Sequence, residues 1–147
     1  MSDSISEHIL HQPKRQKLSP DALRLHAPAK INLNLLVGPR REDEYHSVDS
    51  CIAKISLYDS LQFRRRHDGE ITLHCHGLSC GAVEDNLVMR AARMLADLQP
   101  VPGVDISLVK NIPSGGGLGG GSSDAACTLA GLNELWGLNL PDRKSVV

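Results

Sequence analysis

The chain has 147 residues, 41% of them hydrophobic, and its 16 Lys+Arg and 17 Asp+Glu leave a formal net charge of −1. That length supports one domain with a real core, and the balanced charge gives no basic surplus for nucleic acid or an anionic membrane surface. A single Trp and a single Phe are too few for a base-stacking platform, and no apolar run is long enough to span a bilayer.

Residues 1–22 are polar and punctuated by Pro13 and Pro20, and they read as a disordered extension. Their Lys14-Arg15-Gln16-Lys17 cluster reads as a solvated charge run rather than an address signal. The first residues, Met1 to Glu7, lack the basic and apolar regions of a signal peptide. Cys51, Cys75, Cys80 and Cys127 show no Cys-x-x-Cys spacing, which with no secretory signal predicts reduced thiols in a cytosolic protein.

The ordered domain is expected over residues 23–147. Ile31, Leu33 and Leu35 alternate with Asn32, Asn34 and Leu36, the period of a half-buried strand. Gly38 to Asp43 reads as a charged loop. Val48 to Leu57 and Leu61 to Arg64 read as two strands separated by a turn at Tyr58-Asp59-Ser60, and Ile71, Leu73 and Cys75 mark another. His74, His76 and Cys80 lack a fourth ligand at good spacing, and strand alternation accounts for both histidines, so no metal site is assigned.

A helix follows, with Leu87, Ala91, Met94, Leu95 and Leu98 toward one face, Arg90, Arg93 and Asp97 on the other, and Asp85 as its N-cap. Pro100 to Gly103 ends it. Val104, Ile106 and Leu108 alternate with Asp105 and Ser107, a strand that leads straight into the tract Pro113 to Asp124. A final helix is predicted to run to Trp136, with Gly137 as the residue beyond its C-cap. Strands, helix, strand and helix in this order give an α+β class.

The tract Pro113-Ser114-Gly115-Gly116-Gly117-Leu118-Gly119-Gly120-Gly121-Ser122-Ser123-Asp124 carries the functional signal. Its glycines allow close backbone approach and positive φ, and Ser122 or Ser123 is a natural N-cap for the Ala-rich helix after it. A glycine loop opening a helix offers free N–H groups and a positive dipole end to an anion such as a nucleotide phosphate. The P-loop pattern fails, because Ser122 stands where its lysine belongs. Gly115, Gly117 and Gly120 satisfy the dinucleotide pattern, without the acidic residue about 20 positions on that the pattern requires. A flexible Gly/Ser linker is the remaining alternative.

Four segments together resemble the N-terminal half of the GHMP kinases. They are Ala27-Pro28-Ala29-Lys30-Ile31-Asn32-Leu33, Glu44-Tyr45-His46, Glu84-Asp85-Asn86-Leu87, and Pro113 to Ala126. Within that family, Lys30-Ile31-Asn32, Tyr45-His46 and the Gly-Gly-Gly-Ser-Ser-Asp ending resemble the branch acting on diphosphocytidyl-methylerythritol in non-mevalonate isoprenoid synthesis. The resemblance covers roughly residues 24–140 and implies a mixed β-sheet with helices on one face. It implies transfer of the ATP γ-phosphoryl to a substrate hydroxyl, with ATP and Mg²⁺ as cofactors and a small cytidine-bearing molecule as partner.

By the same resemblance Lys30 lies near the accepting hydroxyl, and Asn32 hydrogen-bonds the substrate. Tyr45 and His46 recognise its cytosine end. Asn86 and Lys110 lie near the adenine, and Pro113, Ser114, Gly115, Gly116, Gly117, Leu118, Gly119, Gly120, Gly121, Ser122 and Ser123 form the phosphate loop. Asp124, in the first turn of the helix, reads as a capping residue and not as a base. Glu44 stands where the family has glycine, a strained choice if φ is positive there.

The family's catalytic aspartate sits in a Gly-Ala-Asp segment, and its second domain forms the other wall of the cleft. These 147 residues contain neither, so the expectation is an N-terminal fragment that binds ATP weakly and turns over slowly or not at all. The rival readings are another small-molecule kinase of the family, of homoserine or mevalonate type, or a non-catalytic nucleotide-binding remnant.

Overall fold

A computed structural model of the protein describes residues 14–141. The expectations for residues 1–13 and 142–147 lie outside that range. Five strands form one sheet in the order β1-β2-β5-β7-β6. They are β1 (Arg15–Ser19), β2 (Ala22–Asn32), β5 (Ile52–Arg65), β7 (Val104–Lys110) and β6 (Ile71–Gly77). All pairings are antiparallel except β6 with β7. The strands β3 (Leu36–Arg40) and β4 (His46–Asp49) make a separate two-stranded ribbon. Helices α1 (Leu87–Ala96) and α2 (Gly120–Leu135) pack against each other and against the sheet. This is the mixed sheet with helical cover that the sequence predicts.

Period-2 alternation builds the core. Leu23, Leu25 and Ala27 of β2, Leu61 and Phe63 of β5, and Val104, Ile106 and Leu108 of β7 are buried on one face. They join Val88, Met89, Ala92 and Leu95 of α1 and Leu132, Leu135 and Trp136 of α2 in a single cluster. Phe63, Leu61, Ile106 and Leu108 are fully inaccessible, and burying each such side chain contributes about 1.5–3 kcal/mol. The indole of Trp136 donates to the Gly103 carbonyl at 3.1 Å, so its polar edge is satisfied inside the core. Gly137, at φ 65°, follows the C-cap as predicted.

Several sequence expectations are corrected. Arg15–Ser19 is not part of a disordered tail: it pairs with Ala22–Leu25 as an edge strand. Its side chains are all exposed, so it carries no apolar pattern to read; backbone pairing with β2 and an Arg15–Glu134 ion pair at 2.5 Å recruit it. The strand read at Ile31–Leu35 is the tail of β2, which begins at Ala22. Leu33 and Leu35 lie beyond it and are exposed. The charged loop at Gly38–Asp43 is half strand, because Leu36–Arg40 folds back on His46–Asp49. The turn at Tyr58-Asp59-Ser60 does not exist; β5 runs unbroken through it, paired with β2 at all three residues and with β7 from Ser60 onward.

The apolar face of α1 is also rotated from the predicted one. Val88, Met89, Ala91, Ala92 and Leu95 are buried, whereas Leu87, Met94 and Leu98 are 39%, 60% and 62% exposed. Small Ala91 and Ala92 let the helix lie close to its neighbours, and that contact outweighs the larger but less favourably placed residues. Its N-cap is Asn86, whose side chain accepts from the Val88 N–H at 2.9 Å, while Asp85 sits in a short 3₁₀ turn before it.

Two backbone positions generate stability predictions. Glu44, in the β3–β4 turn, has φ 67°, a left-handed conformation that costs an L-residue with a Cβ about 1–2 kcal/mol. Replacing Glu44 by Gly is therefore expected to raise stability by about 1 kcal/mol in a denaturant titration, and an unchanged or lower midpoint would refute the strain. At Gly120, a Cβ would lie 2.8 Å from Ile112 Cγ2 and 3.1 Å from the Lys110 ammonium. Gly120→Ala is expected to lose about 1–3 kcal/mol through overpacking, whereas Ala at the open Gly81 serves as the comparison for φ strain without a clash.

Candidate functional site

The glycine loop lies between the end of β7 and the start of α2. Gly115, Gly117 and Gly119 have φ of 78°, 70° and 69°, a repeated left-handed excursion that side chains resist. The helix begins at Gly120, preceded by left-handed Gly119, and no side chain caps it. The predicted cap at Ser122 or Ser123 is thus wrong. Both lie within the first turn of a helix that starts at Gly120, whose Cα has no room for a side chain beside Ile112. The first α-helical bond runs from the Ser123 N–H to the Gly119 carbonyl at 3.0 Å. An uncapped helix start leaves its leading N–H groups for an outside acceptor, and the dipole favours an anion there.

Lys30 and the loop are held together. Among the described residues β1 pairs with β2 over Ala22–Leu25, and farther along β2 the Lys30 N–H donates to the Leu118 carbonyl at 2.9 Å. The Lys30 stem lies against Gly119, where a Cβ would come within 3.0 Å of its Cγ. Its ammonium donates to Asn32 Oδ1 at 3.3 Å. The structure therefore brings Lys30, Asn32 and the loop to one place. An ammonium beside a row of backbone amides favours a polyanion and can neutralise charge that develops on a transferred phosphoryl group.

Tyr45 and His46 are carried by the β3–β4 ribbon. Tyr45 is 74% exposed. The His46 ring contacts the Gly38 carbonyl through Nδ1 at 3.0 Å. A carbonyl can only accept, so Nδ1 carries the proton and Nε2 of the neutral ring is an acceptor. The turn before them is built from the Glu44 N–H donating to the Arg41 carbonyl at 3.0 Å and the Tyr45 N–H donating to Asp43 Oδ1 at 3.2 Å.

On the α1 side of the loop, a cavity of about 190 Å³ is lined by Cys80, Asp85, Asn86, Leu87, Lys110, Ser114, Gly121 and Asp124. It contains the predicted Asn86, Lys110, Ser114 and Gly121. The Asn86 amide donates to the Cys80 carbonyl at 3.3 Å while its oxygen caps α1, so the side chain is fixed at both ends.

Beneath this cavity lies a feature that the sequence reading missed. The Lys110 ammonium is buried between Asp59 Oδ2 at 2.5 Å and Asp124 Oδ2 at 2.9 Å. Asp59 Oδ1 also accepts the N–H groups of Asn111 at 2.6 Å and Ile112 at 2.9 Å. Asp124 is therefore not a capping residue but an internal partner of Lys110. Its Oδ1 is buried with no hydrogen-bond partner among the described residues. Burial, opposed by the Lys110 hydrogen bond and reinforced by the nearby Asp59 charge, pushes the Asp124 carboxyl up to about 7. Burial also acts to lower the Lys110 value, but Asp59 and then Asp124 more than offset it, and the net shift is upward. The signal in the sequence was the buried position of Asp59 between apolar strand residues, which a turn assignment hid.

Comparison with known proteins agrees with this geometry. Residues 86–146 match the GHMP kinases N terminal domain. Over 114 residues the chain is 52% identical to a 4-diphosphocytidyl-2-C-methyl-D-erythritol kinase of Methylibium petroleiphilum, covering 77% of this chain and 39% of the relative. A kinase of the same name from Methylococcus capsulatus is 48% identical over 127 residues, covering 86% of this chain and 43% of its own. The chain thus spans about two fifths of the length of the relatives it matches.

A crystal structure of 4-(cytidine 5'-diphospho)-2C-methyl-D-erythritol kinase superposes with a TM-score of 0.66 and 40% identity, over 80% of this chain and 42% of that one. A homoserine kinase from Cytophaga hutchinsonii shares the fold with a TM-score of 0.63 at 17% identity, over 88% of this chain and 39% of that one. With its glycine loop, the uncapped start of α2 and these relatives, the chain belongs to the GHMP kinases and carries their N-terminal domain.

Proposed function

We propose that the chain is the nucleotide-binding part of a kinase that moves the γ-phosphoryl of ATP to the 2-hydroxyl of 4-diphosphocytidyl-2-C-methyl-D-erythritol. The observation that carries this reading is the contact of Lys30 with both Asn32 and the glycine loop. It sets a cation and a polar side chain for a hydroxyl acceptor beside the amides that would hold the donor's phosphates. Names shared by relatives near 50% identity support the substrate class.

Each residue then has a physical task. The loop from Pro113 to Ser123 wraps the polyphosphate with backbone N–H groups. Asn86 and Lys110 border the cavity assigned to the adenine. Lys30 polarises the acceptor hydroxyl and offsets the charge that builds on the moving phosphoryl, while Asn32 orients that hydroxyl. On the ribbon, the Nε2 acceptor of His46 suits the exocyclic amine of cytosine, and Tyr45 offers a ring face to the base.

Mg²⁺ fits as a companion of the nucleotide. Among the described residues no group of three His, Cys, Asp or Glu side chains is placed to hold a metal. The loop instead offers the hydroxyls of Ser114, Ser122 and Ser123. Such a donor set suits an ion carried by phosphate and water, which would neutralise polyphosphate charge when bound.

Three experiments test the proposal. In a chimera joining this chain to the C-terminal part of the Methylibium relative, Lys30→Met is expected to lower kcat by about 100-fold with ATP affinity within a few-fold. Retention of full kcat would remove Lys30 from the reaction. In the same chimera, His46→Ala is expected to raise KM for the cytidine substrate by about 10-fold or more while leaving KM for ATP unchanged. Equal effects on both would place His46 outside cytosine recognition. The 147-residue chain by itself is expected to bind ATP weakly and to show negligible turnover, and a kinase-like rate from it would overturn the assignment of catalysis to two halves.

A further inference from the structure

The buried cluster of Asp59, Lys110 and Asp124 spans both ends of the glycine loop. Lys110 is the last residue of β7, and Asn111 and Ile112 carry the chain into the loop. Asp124 lies one turn into α2, on the far side of the loop. A single ammonium joins the two ends, and Asp59 of β5 anchors the entrance through the Asn111 and Ile112 amides. Gly120, the first helical residue, packs on Ile112 and on the Lys110 ammonium itself. The position of the helix start is thus determined by what Lys110 holds.

We propose that Asp124 is a positioning residue for the glycine loop: through Lys110 it clamps the exit of the loop to its entrance, and its charge state sets how firmly the clamp holds. This deepens the nucleotide-binding reading and rests on it only for the consequence in ATP affinity.

The charge balance gives the direction. Asp124 faces Lys110 from β7 and Asp59 from β5, and it adds to the field on Cys75 of β6 and on Cys127 within α2. Asp85 is the other acidic group lining the same cavity. One ammonium stands against two carboxylates, and among the described residues Asp124 Oδ1 has no donor. When Asp124 is ionised the cluster holds one uncompensated negative charge beneath the site for a polyphosphate. When it is protonated the cluster is neutral.

The folded value near 7 exceeds the ordinary value of 3.8, so between those limits the folded state holds the extra proton. This group's stabilisation is therefore complete below the ordinary carboxylate range and is lost as pH rises through about 7. Loop order and phosphate affinity fall together in the same direction.

The test compares the free 147-residue chain with Asp124→Asn, a neutral mimic of the protonated acid, and with Asp124→Ala. Amide hydrogen exchange over Lys110–Gly121 is measured at about pH 6 and about pH 8 and corrected for intrinsic rates, with ATP affinity measured alongside. Exchange of the wild-type loop is expected to rise about three-fold or more relative to Asp124→Asn between these conditions, and Asp124→Ala to exchange faster at both. Protection in the β2–β5 pairing should not follow.

Wild-type ATP affinity is expected to weaken by a similar factor relative to Asp124→Asn over the same interval. Identical loop protection in all three proteins, or a change spread evenly over the whole domain, overturns the clamp. A loop that responds without any ATP binding keeps the clamp and discards the nucleotide reading. ATP binding with an indifferent loop does the reverse.

Discussion

The interaction on which this architecture depends is the burial of one ammonium between two carboxylates. Lys110 and Asp59 are 4% and 0% exposed, and Asp124 is 2% exposed. Charges taken so far out of water are tolerated only when paired, and removing one partner of such a cluster costs about 3–5 kcal/mol because the others are stranded. The cluster therefore fixes relative positions more than it adds net stability. It ties the middle of β5 to the end of β7 and to the first turns of α2, three elements whose meeting point defines the glycine loop.

Around that point the backbone takes conformations that only glycine accepts cheaply. Gly119 and Gly120 are needed for different reasons: the first for its left-handed φ beside the Lys30 stem, the second for contact with Ile112. The result is a helix start with no side-chain cap, whose amides are free for an anion. Lys30 is fixed at this place by its N–H, which donates to the Leu118 carbonyl from the edge of β2.

The stretch just beyond Lys30 and Asn32 has a different character. Leu33, Leu35, Leu36, Val37, Val48 and Ile52 are all more than half exposed, and they cluster at the tail of β2, the β3–β4 ribbon and the start of β5. Tyr45 and His46 are carried on this ribbon, away from the compact core. Their backbone is held by turn hydrogen bonds and the β3–β4 pairing rather than by burial, against the strain at Glu44. Two regions with different supports thus hold the two halves of the proposed reaction: the glycine loop with Lys30 and Asn32, and a lightly packed ribbon for the cytosine end.

The sequence by itself determined the class of the fold and the place of the loop. Alternation at Val104, Ile106 and Leu108, the glycine tract and the Gly137 stop are local patterns, and local patterns survive folding because φ preference and side-chain periodicity belong to the chain. It likewise marked Lys30, Asn32 and Asn86, whose motifs lie in short contiguous runs.

Only the tertiary structure decided that Arg15–Ser19 pairs with β2, because an exposed edge strand carries no apolar signal. The same holds for the rotated face of α1, chosen by what α2 and β6 present to it. Above all, nothing local shows that Asp59, Lys110 and Asp124 meet. Asp59 lies 51 residues from Lys110, and Lys110 lies 14 from Asp124. A polar residue between strand-like runs reads as a turn until the sheet supplies its buried partner.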